Sequence, residues 1–495
     1  MRKLFALLGL VVLVLVVALA LVVGAKTLLM PSRQLAVAAV TPAVVDGAAV
    51  SARLGAAVRF KTIASLDDVD ASAAEFTGLH AHLLMSFPKA HAVLKRELIG
   101  KYGLVYTWAG SDATVPGIGL MAHQDVVPVA PGTEADWQQP PFSGTLKDGF
   151  VWGRGAWDDK GNLMAMLEAV EMLAATGFQP RQTIYLIFGQ DEEVGGQRGA
   201  MQVARRFKER GIRLQFVIDE GLLITEGVLP GLSRPAALVG VAEKGILTLQ
   251  LTATATPGHS SMPPAQAGQT AIGMLSVALA RLEDQQMPLA VRGLSRDMFE
   301  TMAPEMSGVN RVFLSNLWLF KPLVERQLAK GTATSASLRT TTALTVFSAG
   351  NVENVLPGRA NATVNFRLLP GDSSEQVIDH VTQVVSNPAI RIDKSPVLAE
   401  ASKLASTDAP GYRLINTTLR QLHADVVVAP GLMLGGTDSR YFDAVAENIY
   451  KFSPVRARPE DLKRFHGTNE RISTANYIEL IQFYYQLISN SLVLP

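Results

Sequence analysis

The hydrophobic pattern of the chain begins with one long uncharged run near the amino terminus. After Arg2 and Lys3, residues 4–25 carry no charge and are almost entirely Leu, Val and Ala. A helix needs about 20 apolar residues to cross about 30 Å of hydrocarbon, whereas the apolar core of a cleaved signal peptide spans only about 7 to 15. The length of the run therefore favours a retained transmembrane helix, a signal anchor at residues 1–30.

The residues that flank this run predict its orientation. Basic residues tend to stay on the cytoplasmic side, so everything after Lys26 is expected across the membrane, in a periplasm, a lumen or the extracellular space. Signal cleavage near Gly24-Ala25 is the competing interpretation. Residues 31–46, rich in Ala and Val with Pro and Ser, are expected to form a stalk.

From Gly47 the pattern changes to short apolar runs that alternate with helix-like segments, which is typical of an α/β fold. The runs end in polar residues. In open α/β sheets ligands bind at the carboxyl ends of the strands, so chemistry is expected there. The predicted strands are 118–122, 183–188 and 215–218, and the predicted helices are 50–58 and 162–176.

From about Gly245 the hydrophobic pattern changes to alternating strands around one helix, which predicts an inserted α+β domain. Residues 288–341 have weak periodicity and remain unassigned. We therefore expect a mixed-sheet catalytic domain at 47–243 and 370–495, interrupted by an inserted smaller domain at 244–369. The predicted strands of the inserted domain are 247–255, 343–349 and 360–368, and its predicted helix is 270–283. The predicted helices of the second catalytic part are 375–385, 411–422 and 474–492.

The amino-acid composition excludes several classes of protein and of functional site. Hydrophobic residues are 48% and charged residues 18%, which excludes a disordered chain. With 45 Lys and Arg against 44 Asp and Glu the net charge is +1, so no basic field favours nucleic acid as a partner. The sequence has no Cys, which excludes disulfides, thiolate metal sites and a Cys nucleophile. Any metal must be held by His, Asp and Glu.

Such side chains occur in five motifs, four of which follow or lie near predicted strands. A lone His or an acidic pair is more often structural or solvated than functional. Five motifs in a chain with only 8 His predict instead a pair of divalent ions that share one carboxylate, each ion having one His and one further carboxylate. The motifs are His123-Gln-Asp125, Asp158-Asp159, Asp191-Glu192-Glu193, Asp219-Glu220 and Phe465-His466-Gly467.

The donor set suits zinc, although cobalt and manganese accept similar ligands. Asp125 is close enough in sequence to accept the remaining ring N–H of His123 or of a neighbouring ligand, and so to orient it. On an extended backbone, Glu192 and Glu193 point in different directions. One of them can then ligate a metal while the other faces the bridging water as general base.

These motifs resemble the co-catalytic dinuclear zinc exopeptidases that include carboxypeptidase S, aminoacylase and bacterial glutamate carboxypeptidase. The resemblance runs from about Gly47 to the carboxyl terminus. It is closest to the carboxypeptidase S branch, which also contains N-fatty-acyl amino acid hydrolases and synthases. Markers of that branch are segments 258–264, 315–318, 339–343, 436–440 and 463–467.

The resemblance implies a role for each motif residue. Asp158 bridges two zinc ions, and the remaining ligand should be Asp219, with Glu220 as the alternative. Glu192 matches the general base and Asp125 the acid that orients a ligating His. The other implied ligands are His123 on one zinc, and Glu193 and His466 on the second.

Three implied residues lie in the inserted domain, which in relatives serves as a lid and dimerisation domain. His259 matches a residue that reaches an active site across a dimer interface to stabilise the oxyanion. Arg367 matches the arginine that clamps the free carboxylate of the substrate, and Asn354 matches a nearby polar contact. A homodimer is therefore expected.

The expected function is zinc-dependent hydrolysis of the amide bond next to a C-terminal free amino acid, by a carboxypeptidase acting on short peptides. The alternative is a hydrolase or synthase of N-acyl, including fatty-acyl, amino acids. A non-catalytic binding module is disfavoured because every motif acid and His is present. The sequence contains neither Gly-x-Ser-x-Gly nor His-Glu-x-x-His, so a serine hydrolase and a single-zinc protease of that kind are set aside.

Overall fold

The structure, a computed structural model, describes residues 1–494 and is built on a large sheet of eight strands and a small sheet of four, with two minor sheets of two and three strands. The helices are α1 (Arg2–Leu29), α2 (Gly47–Val58), α3 (Ala73–Ser86), α4 (Pro88–Val93), α5 (Lys160–Ala175), α6 (Ala200–Glu209), α7 (Ala271–Asp284), α8 (Gly293–Met302), α9 (Gly308–Ser315), α10 (Leu317–Leu328), α11 (Thr332–Ala336), α12 (Ser374–Val385), α13 (Pro410–Leu422), α14 (Pro459–Leu462) and α15 (Thr474–Asn490). The strands are β1 (Lys95–Ile99), β2 (Gly103–Trp108), β3 (Gly117–His123), β4 (Thr145–Lys147), β5 (Phe150–Trp152), β6 (Ile184–Gly189), β7 (Leu214–Thr225), β8 (Ala236–Glu243), β9 (Gly245–Thr254), β10 (Gly258–His259), β11 (Thr341–Ala349), β12 (Val355–Leu356), β13 (Arg359–Leu368), β14 (Ile390–Ala399), β15 (Val427–Met433), β16 (Ile449–Ala457) and β17 (Arg471–Ser473).

The large sheet has eight strands in the order β1-β2-β6-β3-β7-β16-β8-β15. Its central strands β6, β3, β7 and β16 run parallel, so their carboxyl ends meet at one edge. The mixed sheet expected from the sequence is confirmed, and each of its three predicted strands falls within an observed strand or differs by one residue at its start. The polar segments that follow β3 and β6 are thereby brought side by side.

Helices cover both faces of this sheet because successive strand residues point to opposite sides. Leu120 and Ala122 of β3 pack in the main core with α5, α15 and α2, whereas Met121 between them packs with Val203 and Phe207 of α6 on the other face. The predicted helix 162–176 is observed at Lys160–Ala175 and is buried along most of its length. The strand ends are therefore held on a rigid three-layer frame.

The small sheet has four antiparallel strands in the order β11-β13-β9-β14 and its own core against α7 and α12. Alternate residues of β13 are buried, from Ala360 to Leu368. Residues 374–399, which the sequence assigned to the catalytic part, form α12 and β14 of this unit, with β14 paired to β9. The boundary at 369/370 is therefore wrong, because the pattern of a helix does not reveal which sheet it covers.

The unassigned stretch 288–341 is largely helical. Helices α8 to α11 lie here, and α8 packs on the edge strand β15 of the large sheet. Met302 and Met306 share a small core with Ala236 and Val427. Helix α8 and the residues up to Met306 therefore cover the edge of the large sheet, before the chain returns to the small sheet at β11.

Helix α1 is long and apolar enough to cross a membrane, a test that a signal sequence near the amino terminus also passes. The segment after it, expected to be a stalk, instead lies along the globular part. The Gln34 side chain exchanges two hydrogen bonds with the backbone of Val428 on edge strand β15, of 3.0 and 2.7 Å. Further along, Val40 N–H donates to the Gln421 carbonyl and Gln482 donates to the Ala43 carbonyl.

Candidate metal centre

Two overlapping groups of His and carboxylate side chains meet at the carboxyl edge of the central strands. In each group the potential ligand atoms lie within 4.8 Å of one another. Asp158 belongs to both groups. One group is His123, Asp158 and Glu220, and the other is Asp158, Glu193 and His466.

The shared residue, Asp158, turns one oxygen toward each group. Its Oδ1 lies 3.0 Å from Nε2 of His123, and its Oδ2 lies 2.7 Å from Nε2 of His466. Burial raises the pKa of this carboxyl, but its hydrogen bonds with the two imidazoles outweigh burial, so that the pKa is lowered. Asp158 is thus a buried, charged carboxylate between two imidazoles, the arrangement that the sequence motifs predicted for a bridging ligand.

Glu220, and not Asp219, occupies the remaining position of the first group. Glu220 Oε1 lies 3.5 Å from His123 Nε2. Asp219 uses both carboxylate oxygens elsewhere, since Oδ2 accepts from Ser439 N–H at 2.8 Å and Oδ1 from Glu220 N–H at 3.0 Å. The cause is that β7 continues to Thr225, so that neighbouring residues alternate across the sheet and the first acid does not mark the strand end.

Glu192 and Glu193 lie on one turn of 3₁₀ helix, Glu192–Val194, and not on the extended backbone expected from the sequence. At three residues per turn, consecutive side chains still diverge by about 120°. Glu193 Oε2 lies 3.4 Å from His466 Nε2, whereas its buried Oε1 has no hydrogen-bond partner among residues 1–494. Glu192 belongs to neither group, so the two roles remain separable.

Asp125 positions both of these glutamates. Its two carboxylate oxygens accept the backbone N–H groups of Glu192 and Glu193, each at 3.1 Å. Toward His123 it acts mainly through its backbone: the ring Nδ1 lies 2.9 Å from the Asp125 carbonyl and 3.5 Å from its carboxylate. One residue thus fixes the orientation of the imidazole and the position of the glutamate turn.

The shifted pKa values show that hydrogen bonds to carboxylates favour the protonated form of both imidazoles at this site. Burial lowers the pKa of His123, but its hydrogen bonds with Asp125, Asp158 and Glu220 raise it well above its ordinary value. Hydrogen bonds with Asp158 and Glu193 raise the pKa of His466 to about 10. Burial raises the pKa of Glu220 to about 7 and also raises that of Glu192. Because metal ligation requires neutral imidazole, binding of cations would displace these protons.

A buried glutamate that the sequence did not single out supports the loop before Asp158. Glu470 accepts hydrogen bonds from Arg154 at 2.6 Å and from the N–H groups of Gly155, Trp157 and Asp158 at 2.9 to 3.1 Å. Arg154 in turn donates to the His466 carbonyl at 3.2 Å. No sequence signal identified Glu470, which lies in a segment without hydrophobic periodicity.

The marker segment 436–440 also has a structural role at this site. Arg440 and Tyr441 both donate to the Gly195 carbonyl, at 2.9 and 2.5 Å, and so hold the end of the glutamate turn. Asp438 is buried, with neither carboxylate oxygen hydrogen-bonded in the described chain, and it packs against Gly189 and Gly196. The segment therefore ties the glutamate turn to Asp219 of β7, which accepts the Ser439 N–H.

Gly196→Ala is expected to damage this site. Gly196 has φ of +69°, and a Cβ there would overlap the carboxylate of Asp438. Gly211 is a matched control, since its φ is +66° and a Cβ there meets open space. Overpacking of this kind costs about 1–3 kcal/mol beyond the backbone penalty that both variants share. We expect a lower Tm and lower kcat for Gly196→Ala than for Gly211→Ala; equal effects would contradict the packing argument.

The three residues predicted in the inserted domain lie outside both His–carboxylate groups. His259, on β10, is exposed, with Nδ1 2.8 Å from Ser261 Oγ, and Ser260 N–H donates to the Asn354 carbonyl, so that His259 and Asn354 are neighbours. Arg367 lies at the end of β13 near Lys244, whose pKa is lowered to about 8 by burial and then by the Arg367 charge. Their implied roles remain predictions.

Comparison with known proteins decides the family. Residues 119–490 match the sequence model of Peptidase family M20/M25/M40. The chain belongs to this peptidase family. The family expected from the strand-end motifs is thereby confirmed, and the protein is a hydrolase with metallopeptidase relatives.

The similar proteins fall into the branches expected from the motifs. The chain is 43% identical to probable carboxypeptidase S-like 2 of Dictyostelium discoideum, over 89% of this chain and 84% of that protein. It is 39% identical to the N-fatty-acyl-amino acid synthase/hydrolase PM20D1 of Xenopus tropicalis, over 88% of this chain and 85% of that protein. The M20 family metallo-carboxypeptidase Sso-CP2 of Sulfolobus solfataricus has the same fold, with a TM-score of 0.64, 18% identity, and coverage of 91% of this chain and all of that one.

Proposed function

We propose that this protein is a two-metal amide hydrolase that removes the C-terminal amino acid from short peptides. The observation that carries the proposal is the buried Asp158, shared between two His–carboxylate groups with Glu192 beside them and outside both. This arrangement provides two adjacent cation positions and one carboxylate left over for proton transfer.

The residues present fit a pair of zinc ions, with cobalt or manganese as possible substitutes. Imidazole nitrogen with carboxylate oxygen is a donor set for catalytic zinc, and the unpartnered Glu193 Oε1 is a further buried acceptor. One ion would be held by His123, Asp158 and Glu220, the other by Asp158, Glu193 and His466. When bound, the ions supply a water of lowered pKa and polarise the scissile carbonyl.

Glu192 is the proposed general base and acid. Asp125 fixes the Glu192 backbone, and burial and then the charge of Glu220 raise the pKa of the Glu192 carboxyl. In the proposed reaction, Glu192 takes a proton from the attacking water and delivers it to the leaving nitrogen. Amide cleavage with no protein nucleophile follows from this division of roles.

Recognition of the free carboxylate is assigned to Arg367, whose planar guanidinium offers two parallel donors to a carboxylate. His259 and Asn354 are assigned to the oxyanion and to a nearby polar contact. Because exposed His259 lies outside the metal groups of its own chain, we propose that the small-sheet unit acts as a lid and dimerisation domain that presents His259 to a second subunit. A homodimer is therefore part of the proposal.

The test is an amino acid release assay on the purified full chain. A panel of dipeptides, N-blocked dipeptides and N-acyl amino acids is compared before and after removal of metal with a chelator, and after return of zinc. We expect release that disappears with the chelator and returns with zinc. Release that persists unchanged in metal-free protein would refute the proposal.

A second candidate is hydrolysis or synthesis of N-fatty-acyl amino acids. It is favoured by the 39% identity to the Xenopus synthase/hydrolase and by the apolar helix α1, which would keep the enzyme near lipid-like substrates. We propose that α1 is a single-pass anchor with the catalytic domain on the periplasmic, lumenal or extracellular side. Faster turnover of oleoyl-Phe than of any dipeptide would favour this second reaction.

Two neighbouring acids give a direct test of the ligand set. Glu220→Gln should reduce the metal content of the protein from two ions to about one, since Glu220 belongs to one group only. Asp219→Asn keeps an oxygen for the Ser439 N–H and should retain both ions. Metal content per chain after dialysis against a weak chelator is the measurement. Loss of metal in Asp219→Asn with full content in Glu220→Gln would reverse the assignment.

A further inference from the structure

Segment 315–318, singled out as a branch marker, has no part in the metal centre. It forms the junction of α9 and α10, and the structure places that junction against the last turns of α1. Asn316 is 0% exposed and donates to Thr27 Oγ1 at 2.9 Å and to the Val23 carbonyl at 3.3 Å. Arg311 donates to the Thr27 carbonyl at 3.3 Å. The junction is therefore built around the end of the apolar helix.

The position of these contacts along α1 fixes their depth. The uncharged run of 22 residues, 4–25, is about 33 Å long as a helix, close to the thickness of a bilayer core. Val23 lies inside this run, and Thr27 lies just beyond it. If α1 spans a membrane, as proposed above, the α9–α10 junction must lie where hydrocarbon meets the headgroups.

The side chains around the junction suit that position. Trp318 is 53% exposed, donates its indole N–H to Asn316 Oδ1 at 3.2 Å, and has Lys26 Nζ 5.3 Å from its ring centroid. Tryptophan is enriched at membrane interfaces. Val309 and Leu323 on the same two helices are 60% and 50% exposed.

The net charge of the segment that contains these two helices also suits a membrane surface. Segment 308–330, which contains both helices and the two residues after α10, has Arg311, Lys321, Arg326 and Lys330 against the single acid Glu325, a net charge of 4 − 1 = +3. Basic residues near an anionic membrane surface are attracted to it. Exposed apolar side chains among basic ones are typical of helices that lie in the membrane interface.

The connection between α1 and the body of the protein is firm. Beyond the helix, Arg33 pairs with Glu300 at 2.7 Å, Ser32 hydrogen-bonds Glu305, and Gln34 binds the edge of β15. The domain is therefore held in one orientation relative to α1.

We infer that helices α9 and α10 form a second membrane contact, a platform that rests on the lipid interface beside α1 and holds the catalytic domain against the bilayer surface. This inference rests on the proposed anchorage by α1. The partner of the α9–α10 surface is the lipid bilayer, because this surface is continuous with the apolar helix α1.

The sequence offers a clean test, since it has no Cys and any introduced Cys is unique. The full chain is reconstituted in nanodiscs of phosphatidylcholine with phosphatidylglycerol, with one nitroxide label at Val309→Cys, Leu323→Cys, Leu15→Cys or Met85→Cys. Leu15 reports the middle of α1. Met85 is 76% exposed on α3, whose Phe76 stacks on Tyr102 immediately before β2, at the far side of the large sheet from β15. The ratio of relaxation by oxygen to relaxation by a water-soluble nickel chelate measures contact with lipid.

We expect the ratios at Val309 and Leu323 to lie at least about threefold above that at Met85 and below that at Leu15. Ratios at Val309 and Leu323 equal to that at Met85, with Leu15 in lipid, would overturn the platform and leave the anchor intact. A water-exposed Leu15 label would instead overturn the anchorage on which the inference rests. All four positions are exposed and outside the catalytic site, so retained amide hydrolysis verifies that each labelled chain is folded.

Discussion

Glu192→Gln is expected to abolish turnover while both metal positions remain filled. The substitution keeps the size of the side chain but removes the proton acceptor, and Glu192 is not a member of either His–carboxylate group. General acid–base groups contribute about 10²- to 10⁴-fold to rate, and Glu192 is proposed to act in both proton transfers. We therefore expect kcat to fall by about 10³-fold or more on the best substrate, with two ions per chain.

Glu209→Gln is the matched control for this variant, because Glu209 lies at the exposed end of α6, away from the site. It should have wild-type kcat and metal content. If Glu192→Gln kept kcat within about tenfold of wild type, Glu192 would not be the general base. If it lost kcat together with one metal ion, Glu192 would be a ligand, and the separation of roles seen in the glutamate turn would be incorrect.

Much of the frame could be predicted because burial on both faces gives the central strands a continuous apolar run. Strand β3 is buried at every position from Gly117 to His123, and β6 is similar. The end of such a strand can be recognised in the sequence, because the apolar run stops there. The first polar residues after these strands are the ones that meet at the edge of the sheet. His123 and the glutamate pair were found in this way.

The errors have a common physical origin, since they fall where the local pattern carries no information about tertiary position. Strand β7 continues through two acids, so its pattern could not show which acid faces His123. Glu470 is recognised only through the four groups that donate to it. Segment 374–399 has a clear helix and strand, but only the pairing of β14 with β9 reveals their sheet.

Asp158→Asn is expected to cost the protein both metal ions, whereas Glu220→Gln should cost one. Asp158 is the only residue common to the two His–carboxylate groups found among residues 1–494, and each of its oxygens faces a different imidazole. Replacing one oxygen by an amide nitrogen and removing the charge weakens both positions at once. Even partners that only support a metal ligand change affinity by about 10- to 100-fold, so a shared ligand should change it more.

Two measurements separate this loss from simple misfolding. Metal content per chain should fall from two to nearly zero, and added zinc should no longer raise the Tm, because stabilisation by a ligand scales with its affinity for the folded state. The metal-free variant should remain folded and unfold in a single cooperative thermal transition, as metal-free wild type does. A variant that still gains stability from zinc and retains one ion would show that the two positions do not share Asp158.

The metal-free proteins should also differ in their response to pH. In wild type, hydrogen bonds with Asp158 and Glu193 raise the pKa of His466 from 6.5 to about 10. The folded state then binds a proton that the unfolded state releases, so this stabilisation is complete below pH 6.5 and is lost as the pH rises toward 10. Asp158→Asn removes the first of these partners, so its Tm should fall less than that of wild type between pH 6.5 and 10. Parallel pH profiles of the two chelated proteins would mean that Asp158 does not hold a proton on His466.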